Sequence, residues 1–144
     1  MSRLYLLSVI LALAGQSLAN RTRTPGQHAR PMGARLVVVK SAAMDAYLGD
    51  TIKNSHNDNT WIGLDDINSP THQFVWSDGS TLTSSDYSNW ERSQPDNPDR
   101  EQCVEIRVVF AYSWNNHLCG ELKHYTCEKE GVLILASYYR CHIW

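Results

Sequence analysis

Apolar and polar positions change period twice between Arg35 and Glu128. The run Leu36-Val37-Val38-Val39 is unbroken, which suits a strand over Arg35–Lys40 with both faces covered. Ser41 then stands where a helix cap belongs. Met44, Tyr47, Leu48 and Ile52 follow at helical spacing, so one apolar face runs for about three turns. The polar stretch from Lys53 to Thr60 ends that helix. From Trp61 the pattern becomes β: Trp61-Ile62-Gly63-Leu64 predicts a short apolar strand. Gln73–Trp76 predicts another, closed by the turn residues Ser77-Asp78-Gly79. Val104, Ile106 and Val108 alternate with Glu105 and Arg107, as in a half-buried strand. A last strand pair is expected at Tyr112–Trp114 and His124–Glu128. The apolar tail over 130–144 has no assigned role, and no internal repeat is visible.

Between these elements lies a long irregular stretch from Ser80 to Arg100, rich in Ser, Asp, Asn and Pro. A segment of that length without periodicity is more often functional than idle inside a compact domain. Its end, Gln94-Pro-Asp-Asn-Pro-Asp-Arg-Glu-Gln-Cys103, has two prolines, no aliphatic side chain, and acids at Asp96, Asp99 and Glu101. Turn chemistry alone would explain Pro, Asp and Asn. The density of oxygen donors also suits a hard cation.

The N-terminus changes the setting. Arg3 precedes an apolar run from Leu4 to Ala14, and the small residues Ser17 and Ala19 follow. This is the three-part pattern of a signal peptide over 1–19, and the apolar run is short for a membrane span. A polar, Pro- and Gly-interrupted leader occupies 20–32, with a glycosylation sequon at Asn20. The mature chain is therefore expected to be secreted and extracellular. Cys103, Cys119, Cys127 and Cys141 then read as disulfide partners rather than thiol catalysts, with connectivity left open. The net charge of −2 gives no general attraction to nucleic acid or to an anionic membrane. Five Trp and seven Tyr against two Phe suit a recognition surface and a small β-rich core equally well.

Taken together, several spaced features resemble the C-type lectin-like domain over 33–129. They are Trp61-Ile-Gly-Leu64, Asn89-Trp90 ahead of Gln94-Pro95-Asp96, Glu101-x-Cys103, Trp114-Asn115-Asn116 ahead of Cys119, and Cys127. The resemblance implies an α+β fold of short antiparallel sheets with a helix and a long calcium-binding loop. It implies a Cys103–Cys119 disulfide, a cis bond at Pro95, and calcium and sugar ligands at Gln94, Asp96, Glu101, Asn115 and Asn116. A cis X-Pro bond costs little enough for a bound metal to hold it, and it would turn the oxygens of Gln94 and Asp96 to one side. The function implied is calcium-dependent binding of sugar hydroxyls on glycans or glycoproteins, without catalysis. The order Gln-Pro-Asp is similar to that of galactose-type members, although Asn97–Arg100 carries no aromatic residue to stack on a sugar ring.

Two departures stand out. The family has Asn-Asp where this chain has Asn115-Asn116, so one formal charge is lost and calcium affinity should fall. A family opening strand and first helix, with a cysteine for Cys127, would lie where this chain has its signal peptide and leader. The domain is thus expected to be N-terminally truncated, with Cys141 left as a partner for Cys127. A second calcium place of the family is not expected, because only Asp66 matches it and the other positions are Pro70, Asn97 and Gln102. Two rival readings are a calcium-independent module for protein or other non-sugar ligands, and a zinc set of His117, Cys119, His124 and Cys127. Secretion and the bridged cysteine argue against zinc. His28, His56, His72 and His142 have no nucleophile paired with them in sequence.

Overall fold

The computed structural model describes residues 35–129 and 132–136. The predicted signal peptide and leader, Asn20 and Cys141 lie outside the described residues. The elements run β1 (Arg35–Leu36), α1 (Ala42–Asn54), β2 (Thr60–Asp65), β3 (Val75–Trp76), β4 (Cys103–Arg107), a 3-10 turn (Val108–Phe110), β5 (Ser113–His117), β6 (His124–Lys129) and β7 (Val132–Ala136). All strands join one sheet in the order β1-β6-β2-β4-β5, with β3 on β2 and β7 on β6. The β2–β6 pair is parallel and the others are antiparallel. The expected short antiparallel sheets are thus one mixed sheet. Among the described residues, no helix is long and apolar enough to cross a membrane.

The helix begins as its sequence dictates. Ser41 has extended backbone and its hydroxyl accepts the Met44 N–H, which satisfies one of the orphan donors of the first turn. Leu48 and Ile52 are fully buried against Val37, Val39, Ile62, Leu64, Val104 and Ile106. Tyr47, on the same helical stripe, is instead exposed.

The first strand is shorter than expected. Only Arg35–Leu36 pairs in register with β6, although Val37 still donates to Thr126 O at 2.9 Å and accepts from Gly63 N at 2.8 Å. That crossing explains the glycine of β2. A Cβ at Gly63 would stand 2.7 Å from the Leu36 carbonyl oxygen and 2.6 Å from Ser77 Oγ. Ser77 Oγ itself donates to Leu36 O at 2.6 Å, so β1, β2 and the turn after β3 close on one another there.

Four further expectations need correction. The strand predicted to be half-buried through Val108 is Cys103–Arg107, buried from Cys103 to Ile106, and Val108 opens a 3-10 turn. Glu105 was placed on a solvent face by its alternation, yet it is fully buried. Its carboxylate takes Asn115 Nδ2 at 3.0 Å and lies 3.0 Å from Lys123 Nζ, so the opposite face is closed by polar partners rather than by water. The fifth strand starts at Ser113 rather than Tyr112, because Ala111 and Tyr112 have positive φ of 52° and 65° and form the preceding turn. Finally, Val132–Ala136, part of the tail given no role, pairs with β6 from Tyr125 to Lys129.

Candidate functional site

The long loop leaves the sheet after β3 and returns at Cys103. Its base is fixed by aromatic packing and one carboxylate. Trp114 of β5 is fully buried and meets Trp76, Tyr87 and Trp90 edge-on at 5.7–5.9 Å. Its backbone accepts from Glu91 N at 3.0 Å and donates to Asn89 O at 2.7 Å, which draws the loop alongside β5. Asp45 of α1 is the hub beneath. One of its oxygens accepts Trp114 Nε1 at 2.7 Å, and the other accepts Tyr87 OH at 3.0 Å and Asn89 Nδ2 at 2.6 Å. Burial, and then the neighbouring Asp45 charge, push the Tyr87 phenol up to about 12.

The Gln94–Pro95 bond is cis. Gln94 N donates to Glu91 O at 2.9 Å, while the side-chain oxygen of Gln94 is buried with no hydrogen-bond partner. An acceptor without a partner in the chain is open to a donor, a water or a cation. Asp96 follows with an exposed side chain. Glu101 is half-buried, with its two oxygens 3.5 Å from His117 Nδ1 and 3.5 Å from Asn97 Nδ2. Asn115 is buried and gives its Nδ2 to Glu105, which leaves its oxygen as a donor of lone pairs.

Asn116 behaves differently from the other four. It is fully buried, its oxygen accepts Asp96 N–H at 2.9 Å, and its nitrogen donates to Asp96 O and to Glu101 O, the latter at 2.7 Å. The side chain expected to contribute an amide oxygen to a metal is spent on loop backbone. It nevertheless brings the chain at Asp96 and the chain at Glu101 to one point on β5. Gln94, Asp96, Glu101 and Asn115 therefore remain as the oxygen donors that could serve a cation, with two carboxylates among them. The neutral donors and the unmet Gln94 oxygen fit a hard ion such as calcium, at lower charge than a full carboxylate set. Among the described residues, no group of three or more His, Cys, Asp or Glu side chains is arranged to hold a metal ion.

The cysteines divide clearly. Cys103 and Cys119 form a disulfide with their Cα atoms 5.2 Å apart, anchoring the returning loop to the segment after β5. Cys119 is thereby unavailable to zinc. Cys127 carries a free, buried thiol, and burial pushes it up to about 11, away from the reactive thiolate form.

Two contacts escaped the sequence reading. Asp45 has no part in the sequence reading, and its only signal is its place on the helix next to Met44 of the apolar face. His72 lay in a loop with no partner in sequence. Its ring lies 3.3 Å from a buried oxygen of Asp66 and 3.6 Å from Asp99, so it ties the loop after β2 to the tip of the long loop. Burial raises the Asp66 carboxyl above its usual range, and the hydrogen bond and charge of His72 oppose that rise.

Comparison with known proteins agrees with this geometry. Residues 28–129 match the model of the lectin C-type domain. The chain is similar to mouse C-type mannose receptor 2, 35% identical over 98 residues, which are 68% of this chain and 6% of that receptor. It is equally similar to human CD209 antigen, 35% identical over 104 residues, 72% of this chain and 24% of that protein. The match thus spans a small part of the length of these relatives. Among solved structures it resembles the C-type lectin CEL-I from Cucumaria echinata, with a TM-score of 0.58, 28% identity and coverage of 75% and 84%. It also resembles herring type II antifreeze protein, with a TM-score of 0.60, 28% identity and coverage of 72% and 77%. A disulfide-anchored long loop on a mixed sheet, and a family match over most of the chain, lead to one assignment: this chain belongs to the C-type lectin domain family.

Proposed function

We propose that this protein is a secreted glycan-binding lectin whose sugar site is the loop from Gln94 to Glu101, facing Asn115, and that sugar binding depends on calcium. The observation that carries the reading is the unmet buried oxygen of Gln94, set one cis-proline away from the exposed carboxylate of Asp96. Gln94, Asp96, Glu101 and Asn115 would hold the ion. Bound calcium supplies a hard cation to two adjacent sugar hydroxyl oxygens. The chain's own groups set the orientation: the Gln94 amide nitrogen donates to a hydroxyl on one side of Pro95, and the Asp96 carboxylate accepts from a hydroxyl on the other. That order of donor and acceptor supports a galactose-type preference. The predicted signal peptide and the disulfide support an extracellular setting.

Two carboxylates and neutral amides give a low-charge cation site, so half-saturation is expected in the millimolar range, about 10⁻⁴–10⁻³ M, as in extracellular calcium modules. A single shallow site would then retain multivalent glycans far better than free monosaccharide. The test is retention on a galactose-bearing resin at millimolar calcium, with elution by chelator and loss of retention in Asp96→Ala. A protein that passes through unretained at millimolar calcium defeats this proposal.

The engagement of Asn116 with loop backbone favours a second reading, a calcium-independent module for protein or other non-sugar ligands. It predicts partner binding unaffected by chelator and by Asp96→Ala.

A further inference from the structure

We propose that Asn116 is a positioning residue that takes over, within the chain, the task of cross-linking the long loop, so that the loop keeps its shape without any metal. The grounds are the three hydrogen bonds of its amide. The oxygen accepts from Asp96 N–H at 2.9 Å, and the nitrogen donates to the carbonyls of Asp96 and Glu101. The partners settle which atom is which: a backbone N–H requires the oxygen, and two carbonyls require the nitrogen. Three loop groups are thereby held by one fully buried side chain on β5, the strand at the edge of the sheet beside β4.

Only an amide performs this task at this place. A carboxylate has the same shape and no hydrogen to donate. It would accept from Asp96 N–H, and its other oxygen would face the carbonyl oxygens of Asp96 and Glu101. Three oxygens so placed repel unless a cation lies among them. With Asn116 the bridging hydrogens belong to the protein itself. The segment so closed is further tightened from inside, where Arg100 N and Glu101 N both donate to Asn97 O at 2.9 and 3.0 Å. The consequence is a division of labour: loop order belongs to Asn116, and any calcium bound by the remaining oxygens acts on ligand alone. The inference does not depend on the sugar reading, since it concerns the loop without ligand.

The test is amide hydrogen exchange at Asp96 on the full chain, without sugar, in EDTA and in 10-fold lower to higher steps of calcium up to about 10 mM, well above the expected half-saturation. In EDTA the Asp96 N–H is expected to exchange at least about tenfold more slowly than an unstructured amide, and calcium should change that rate by less than about threefold. In Asn116→Asp the protection is expected to vanish in EDTA and to return with calcium. An unprotected Asp96 amide in the natural chain in EDTA overturns the inference. So does a calcium effect of tenfold or more on the natural chain, or an Asn116→Asp variant as protected in EDTA as its parent. If that variant does not fold, the measurement on the natural chain still decides. Resin retention plays no part, so failure of the sugar proposal and failure of this one are separate results.

Discussion

Removing the carboxylate of Asp45 should loosen the base of the long loop and lower the stability of the whole domain. Asp45→Ala deletes the acceptor for Trp114 Nε1 at 2.7 Å, Tyr87 OH at 3.0 Å and Asn89 Nδ2 at 2.6 Å. The three donors do not suffer equally. Trp114 is fully buried, so its indole N–H would be left without a partner, a loss of about 1–3 kcal/mol. Tyr87 and Asn89 are half-buried and regain water, so each forfeits only part of the ~1.5–3 kcal/mol of a hydrogen bond to a charged group. The relief of no longer desolvating a carboxylate offsets part of the sum. A net loss of about 3 kcal/mol is expected, against a total stability of about 5–15 kcal/mol for a domain of this kind. Asp45→Asn keeps the shape but offers one oxygen for two sides, so about half the loss is expected. Urea unfolding followed by tryptophan fluorescence reads this directly, because Trp114 lies against Trp76 and Trp90. Asp50→Ala, on an exposed part of the same helix, should stay within about 0.5 kcal/mol. A loss below about 1 kcal/mol for Asp45→Ala would refute the hub.

Other consequences can be checked alongside it. Asp65 is buried and its carboxyl is raised to about 6, chiefly by burial, with Ile67 N–H opposing. Its folded value lies above its unfolded one, so its share of stability is full below about pH 4 and is lost as pH rises through 6, to a cost of about 3 kcal/mol. Asp65→Asn should therefore match the natural chain at pH 4 and exceed it at pH 7.5 in thermal melts; a pH-independent difference would contradict this. Gly63→Ala forces a methyl group to within 2.7 Å of the Leu36 carbonyl and should cost at least about 1–3 kcal/mol by urea titration. Replacing Cys103 and Cys119 together by serine opens a 16-residue closure and should cost about 3 kcal/mol, read as a lowered melting temperature that reductant no longer shifts.

Features that depend on neighbours a few residues apart are legible in the sequence alone. Ser41 capping the helix, the buried strand at Trp61–Leu64, the oxygen-rich stretch from Gln94 to Cys103 and the family pattern are all written in local order and spacing. Tertiary structure decided what stands opposite each of these. Alternation correctly set Glu105 apart from its apolar neighbours, but period reports only which way a side chain faces, and the facing Asn115 and Lys123 come from other segments. Asp45 became a hub through partners 42 to 69 residues away, which no local window contains. The run at Val132–Ala136 gained a role only because β6 offers it an edge. Asn116 is the sharpest case. The resemblance implies a ligand position there, whereas its hydrogen bonds are set by the Asp96 and Glu101 carbonyls that meet it, because an amide that can donate will satisfy carbonyls that the fold brings within reach.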